Sequence, residues 1–213
     1  MPPKSRISRQ MIVDGGISVL RRVGILHLNV RAVAAELKCS TQPVMYHFAT
    51  MEELKDEIYR QVDEYHTKYI MDVDFEHSSN PCIDISNNYI RFAVQEPHLF
   101  RFLFQTDRFA NANLMDLVQS DSLAPVFESM AQMVQLTTEQ AKTVFSATFL
   151  AVHGMASLLA NNSMDYNEEF CSTIMENIFC GSIGMQKMGW EAMLYPNGEG
   201  RPDLPPPWER ENG

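Results

Sequence analysis

The stretch "AVAAELKCSTQPVMYHFATMEEL", residues 32–54, decides how the rest of the chain is read. Just before and within it, Val30, Val33, Ala34 and Leu37 recur at helical spacing behind Asn29, a good N-cap, which predicts a helix of about two turns. Ser40 is the next cap. Pro43 then falls at the third helical position, in a first turn where its missing N–H has no intrahelical partner to lose. A short helix is therefore expected from Ser40 to about His47. Thr50-Met51-Glu52-Glu53 reads as a capping box. It opens a long helix with Leu54, Ile58, Val62, Tyr65 and Tyr69 on one face. Two short helices joined by about three residues have the size of a helix-turn-helix connection. In that motif the second helix enters the major groove and its N-terminal side chains meet base edges.

Upstream, Ile7, Met11, Ile12, Gly15, Val19, Leu20 and Val23 form a stripe that Gly24 ends, with Arg21 and Arg22 placed to complement the helix dipole. Downstream, helical spacing continues. One helix spans 81–95 and is stopped by Pro97, where another begins. A further one starts near Ser122. A strongly apolar helix of about 22 residues starts at Thr138. A last one covers about 166–187, with Asp165 and Glu168 as its capping box. No alternating strand pattern with Asn-Gly or Asp-Gly turns is visible, nor an internal repeat. The expected fold class is all-α. Residues 189–213 hold five prolines and four glycines, including "PPPW", and read as an extended C-terminal tail.

Charge is unevenly placed. The net charge of -10 splits into +5 over residues 1–51 (seven basic, two acidic) and -15 over the rest (ten basic, twenty-five acidic). Only the basic head suits a polyanion. At 45% apolar, 213 residues are enough for a packed core, in one large domain or two small ones. The start, "MPPKSRISRQ", has no apolar segment of a secretory signal, and no uninterrupted run of about 18 apolar residues occurs. A cytoplasmic location without a membrane span is expected. Cys39, Cys82, Cys171 and Cys180 form no CxxC pair, and buried free thiols are expected. Cys171 and Cys180, nine apart, fall on opposite faces of one helix. No nucleophile–His–acid set, P-loop, GxGxxG or HExxH is present, so neither catalytic residues, metal ligands nor a cofactor are assigned.

Residues 29–54 resemble the TetR family of bacterial transcription regulators. The family pattern runs Thr-hydrophobic-Arg-x-hydrophobic-Ala, then Gly-Val-Ser, then Leu-Tyr-x-His-Phe, then a lysine before Glu-Glu-Leu. Val30-Arg31-Ala32-Val33-Ala34, Ser40, Tyr46-His47-Phe48 and Glu52-Glu53-Leu54 match it in order and spacing. Three positions depart. Lys38 stands for the glycine before the reading helix, Met45 for a tyrosine and Met51 for the lysine. The resemblance implies a helix-turn-helix DNA-binding domain over 1–50 and a helical effector-binding and dimerisation domain over 51–188. It implies a homodimer that binds double-stranded DNA and answers to a small-molecule effector.

On that footing Ser40, Thr41, Gln42 and Val44 lie on the leading part of the reading helix. Gln42 suits adenine and Val44 a thymine methyl, although Val44 also suits the core. Arg31 reaches a base or a phosphate, Tyr46 and His47 meet the backbone, and Lys38 adds a charge nearby. Lys4, Arg6 and Arg9 form an arm across the phosphates. Phe48 is expected in the core. In the body, Phe92, Phe100, Phe104, Met115, Met130, Phe149 and His153 are candidates for an apolar effector pocket. Arg101 and Arg108 flank an apolar segment and suit acidic groups or a ligand carboxylate, but surface charge is the first reading. The last two long helices are apolar on more than one face, and Ala147, Ala151, Gly154, Gly181 and Gly184 allow a close subunit contact. A repressor released by a largely apolar effector is expected. The other reading is a regulator fold with weakened DNA binding that acts through protein–protein interaction.

Overall fold

Ser8 accepts a hydrogen bond from the Met11 N–H and opens α1 (Arg9–Val23). The computed structural model describes residues 7–106 and 119–194, and among these it is all-helical. At the end of α1, Gly24 has φ 79° and ψ 175°, a region essentially reserved for glycine. A Cβ there would also stand 2.8 Å from Nδ1 of His98. A 3₁₀ turn, Ile25–His27, leads to α2 (Val30–Glu36). Asn29 caps α2 as expected, its Oδ1 accepting from the N–H groups of Arg31 and Ala32 at 3.1 and 3.0 Å.

The helix after it is α3 (Thr41–His47), with Ser40 at the N-cap position but no cap bond from its hydroxyl. Between α2 and α3, Lys38 sits at φ 52°. That left-handed conformation explains why the family pattern carries glycine at this position. Next comes α4 (Met51–Ile70). Thr50 accepts from the Glu53 N–H at 3.1 Å, but the Glu53 carboxylate accepts from the Ala49 N–H at 3.0 Å, one residue before the cap.

The body comprises α5 (Pro81–Gln95), α6 (Pro97–Phe104), a 3₁₀ turn Asp121–Leu123, α7 (Ala124–Val134), α8 (Thr138–Ala160) and α9 (Glu168–Leu194). A full capping box between Thr137 and Gln140 starts α8. At α9 the expected Asp165 cap is replaced by Asn167, whose side chain accepts from the Phe170 N–H at 2.8 Å. Across a break at Gly189 (φ 76°, ψ 160°), α9 continues to Leu194. Helix thus enters the segment read as a tail, of which residues 195–213 lie outside the described residues.

In packing, α2 and α3 lie on α1, and α1 lies on α4 and α6. The body is built round α8, which meets α5, α6, α7 and α9. One core runs from Ile12, Val33 and Phe48 through Ile58 to Phe92, Phe100 and Val152. By length and composition α8 is apolar enough to cross a membrane (mean hydropathy 1.5), a property that counting uninterrupted apolar runs did not register. The four cysteines are free. Cys171 is buried and Cys180 exposed, as opposite faces require, and Cys39 and Cys82 are half-buried, so the expectation of buried thiols holds at Cys171 alone.

Lys38→Gly relieves a left-handed non-glycine residue and is expected to stabilise the protein by about 1 kcal/mol. Urea unfolding measures this, and an unchanged midpoint would contradict the account of the α2–α3 turn.

Candidate functional site

The leading edge of α3 faces out. Ser40, Thr41 and Gln42 are exposed, as are Arg31 on α2 and Lys38 in the turn. Tyr46 is 82% exposed, its ring edge-on to His47. Val44 is 1% exposed and belongs to the core with Phe48, which corrects its expected place against a thymine methyl. The proline forces no change in this: α3 is so short that its one inward face, Val44 and the capping Phe48, is consumed in holding it to α1 and α2.

His47 is committed inward as well. Its Nε2 bonds to the Ile7 carbonyl at 3.0 Å. A carbonyl only accepts, so Nε2 carries the proton, and the ring ties α3 to the segment before α1. Arg9, expected in a loose arm, is instead the first residue of α1. It lies over the Phe48 ring at 4.5 Å and pairs with Glu57 at 3.4 Å. Arg60, and then Gln61, hold the Glu57 carboxyl down to about 2. Lys4 and Arg6 lie outside the described residues.

Head and body are latched at α1. Arg21 donates to both oxygens of Glu96 at 3.0 and 2.7 Å, and Tyr65 donates to the same carboxylate at 3.4 Å. Arg21 also lies over the Tyr65 ring. Arg22 pairs with Glu36 at 3.0 Å.

In the body a cluster of rings joins four helices. His66 of α4 meets Tyr89, Phe92 and Phe104 edge-on at 5.2, 4.8 and 5.1 Å between centroids. His153 of α8 stacks on Phe149 and meets Phe100 and Phe104. Tyr89 and His153 share a hydrogen bond of 2.9 Å. Burial raises the Tyr89 phenol and lowers the His153 imidazole, so the bond joins neutral groups. Of the expected pocket residues, Phe92, Phe100, Phe104, Phe149 and His153 come together here. Met130 is a core residue of α7, and Met115 and Arg108 lie outside the described residues. Arg101, expected as surface charge, bonds to the Ala160 carbonyl at 2.7 Å.

Sequence reading missed His66 and Tyr89. The signal for His66 was the series Leu54, Ile58, Val62, His66 at strict i+4 spacing; Tyr65, chosen instead, is 39% exposed. His66 is also the polar side chain whose Nε2 is buried without a hydrogen-bond partner. Burial drives its pKa down from 6.5 to about 4, so the ring is neutral near pH 7.

Residues 83–175, which hold most of this cluster, match the family described as "Tetracyclin repressor-like, C-terminal domain". The chain is TetR-like. Its head carries the sequence resemblance and its body the family match. A TetR-like transcriptional regulator from Rhodococcus sp. RHA1 has the same fold, with a TM-score of 0.58 at 15% identity over 89% of this chain and 99% of that one. A TetR family member from Streptomyces coelicolor A3 gives 0.49 at 21% identity over 80% and 96%. No curated protein matches. Among the described residues no group of three or more His, Cys, Asp or Glu could hold a metal.

In this TetR-like body the buried imidazole has a measurable cost. Its folded pKa lies below the unfolded one, so between pH 6.5 and about 4 the unfolded chain binds a proton that the folded chain refuses. Stability therefore falls as pH falls through that window, and is unaffected above it. The loss attributable to His66 should approach about 3 kcal/mol by pH 4. His66→Leu removes the orphaned atom and is expected to add about 1–2 kcal/mol at pH 7. Unfolding curves of both proteins at pH 7, 5.5 and 4.5 test this; parallel pH profiles would contradict it.

Proposed function

We propose that this TetR-like chain is a DNA-binding transcriptional regulator, a homodimeric repressor released from a palindromic operator by a small, largely apolar effector. The observation that carries the reading is the division of α3. Val44 and the capping Phe48 are spent on the core, and the leading polar edge, Ser40, Thr41 and Gln42, is left outside with Arg31, Met45 and Tyr46. Such an edge fits a major groove, with Gln42 suited to adenine and Ser40, with no cap bond to make, to a phosphate. In a dimer the two α3 helices would serve half-sites about 34–36 Å apart or a multiple of that. The division at residue 50 belongs to this proposal, and so does a cytoplasmic location, with the DNA.

The second copy is inferred from α8 and α9. Leu150 and Leu158 on α8, and Phe170, Met185 and Met188 on α9, are large apolar side chains left exposed. Nothing lies within 4 Å of a Cβ built on Gly154 or Gly181, so a partner helix has room to approach. Leu150, Gly154 and Leu158 share one face of α8 at i, i+4 and i+8. A matching four-helix contact between two copies accounts for an apolar α8 that its own chain covers only in part.

The effector site proposed is the ring cluster. An orphaned imidazole amid Phe92, Phe104 and Tyr89 offers one hydrogen bond in an apolar surrounding. His66 is on α4, which also floors the head, so a ligand that prefers a second placement of α4 changes the spacing of the heads. The shift is bounded by the ligand's differential affinity, typically about 1–3 kcal/mol.

Met45 and Met51 favour one other reading, a regulator fold working through protein contacts. Neither thioether donates to a phosphate, and both replace donors of the family pattern.

Salt dependence separates the two readings. If Lys4, Arg6, Arg31 and Lys38 of each protomer neutralise phosphates, log K falls with log salt at a slope no steeper than about -7 for the dimer. Arg31→Ala should flatten that slope by about 2 per dimer. A flat, weak response in wild type would favour the interaction-protein reading. Leu158→Glu, which puts a charge in the proposed subunit contact, is expected to give a monomer in ultracentrifugation with DNA affinity reduced at least about a hundredfold, the scale of one buried unpaired charge at about 3–5 kcal/mol.

A further inference from the structure

A second concave site lies where the head meets α6. The 3₁₀ turn after α1 and the length of α6 enclose a groove of about 290 Å³. Its polar wall is fixed from behind. Arg101 donates from Nη1 to the Ala160 carbonyl at 2.7 Å, and from Nη2 to Nδ1 of His98 at 2.8 Å. A guanidinium has no lone pair to offer, so Nδ1 accepts and the imidazole proton sits on Nε2. Burial, and then the charge of Arg101, push the His98 pKa below its ordinary value and keep the ring neutral. Arg101 has spent two of its five N–H donors on these contacts. Gln105 accepts from Asn161 at 3.1 Å through its carbonyl oxygen, which leaves its NH₂ to donate. The Thr106 hydroxyl is turned back to the Phe102 carbonyl at 2.9 Å.

The facing wall is apolar, from Val23, Ile25 and Leu26. Leu26 is 92% exposed, in the turn itself, and supports no core. Among the described residues no acidic side chain lines the groove. It therefore joins a surplus of donors and one full positive charge to an apolar rim, in a protein that is acidic as a whole. His98, Arg101 and Gln105 share one face of α6 at i, i+3 and i+7, whereas Phe100 and Phe104 turn to the ring cluster. The two sites are thus on different faces of one helix.

We propose that this groove binds a small amphiphilic carboxylate, its anionic end on Arg101, His98 and Gln105 and its short apolar tail along Val23 and Leu26. An alcohol of the same length leaves the guanidinium donors unmatched. Inorganic phosphate leaves Leu26 in water. The bound carboxylate touches the head's turn and α6 together, beside the place where His98 already packs on Gly24.

The test titrates the full-length protein with sodium hexanoate, 1-hexanol and sodium phosphate, read by calorimetry and by thermal unfolding. Hexanoate is expected to bind and to raise Tm by mass action on the folded state. Hexanol and phosphate should bind at least roughly tenfold more weakly, the scale of one charge-assisted hydrogen bond or one buried aliphatic group. Leu26→Asp, at a position too exposed to affect folding, should weaken hexanoate by a similar factor. Arg101→Gln should do the same, with its ligand-free Tm showing whether loss of the Ala160 contact has unsettled α6. Failure of hexanoate to bind overturns the proposal. So does hexanoate binding that Leu26→Asp leaves unchanged; if His66→Leu abolishes that binding, the ligand has gone to the ring cluster. Equal binding of hexanol removes the role of the anion, and equal binding of phosphate removes that of the tail; either result overturns the assignment.

Discussion

One helix serves both halves of the molecule. Leu54 and Ile58 of α4 are buried with the head, and His66, two turns further on, is buried among the rings of the body. No flexible linker separates them, because α4 is continuous from Met51 to Ile70. Anything that re-seats one end of this rod must move or strain the other. The head is also held to it by side chains: Gln10 bonds to Gln61 at 2.9 Å and Arg9 pairs with Glu57. These are exposed contacts, individually worth about 0–1 kcal/mol. They fix orientation more than they stabilise. The buried packing of α2 and α3 on α1, and of α1 on α4, does the stabilising, and the arrangement as a whole is what a displacement of α4 would carry with it.

The rings around His66 show how a body can be stable and yet hold a destabilising group. A buried imidazole without a partner forfeits its hydrogen bonds to water. Leucine would fit that position with no such loss. Natural cores seldom keep an orphaned polar atom without a reason, such as a water, an ion or a ligand that satisfies it. Three ring edges close on His66, so a ligand that reaches Nε2 has to displace one of them. Phe104, at the end of α6, is the half-buried one of the three, whereas Tyr89 and Phe92 are buried. It stands on α6, whose other face carries Arg101 and the groove against the head. Both proposed sites therefore act on α6, and α6 touches both α4 and α1.

The fold was legible because its decisive signals are local. Asn29, Ser40 and Thr50 mark three helix starts within about two dozen residues, and Pro43 confirms that one of them is a first turn. The long-range consequences were less legible. Val44 lies three residues past Thr41 on a two-turn helix, and only the packing of α1 and α2 decides that it points inward. Tyr65 looked apolar and His66 polar, so composition favoured the wrong neighbour; spacing alone gave the right one. Glu53 reaches Ala49, and Asn167 displaces Asp165, because cap register depends on how the chain enters the helix. In the site, the tether from His47 to Ile7 spans forty residues and leaves no trace in either local pattern.

The basic head also looks different once its pairs are counted. Its net charge of +5 suggests a strong polyanion-binding surface. Yet Arg9, Arg21 and Arg22 are each spent on a carboxylate, of Glu57, Glu96 and Glu36. Two of those carboxylates belong to the acidic remainder, so part of the charge split is neutralised where head and body meet. Of the seven basic side chains, Arg31 and Lys38 flank α3 and form no such pair, and Lys4 and Arg6 precede α1. Arg9 and Arg21 can exchange their carboxylates for a phosphate only by breaking contacts between the head and the remainder, whereas Arg22–Glu36 lies within the head. Arg21 is the instructive case. Its Nε–H, shared between the two oxygens of Glu96 and reinforced by Tyr65, belongs to the junction of α1 with the body. Among the described residues the head's unpaired cations are therefore Arg31 and Lys38, and its net charge overstates the positive charge left outside.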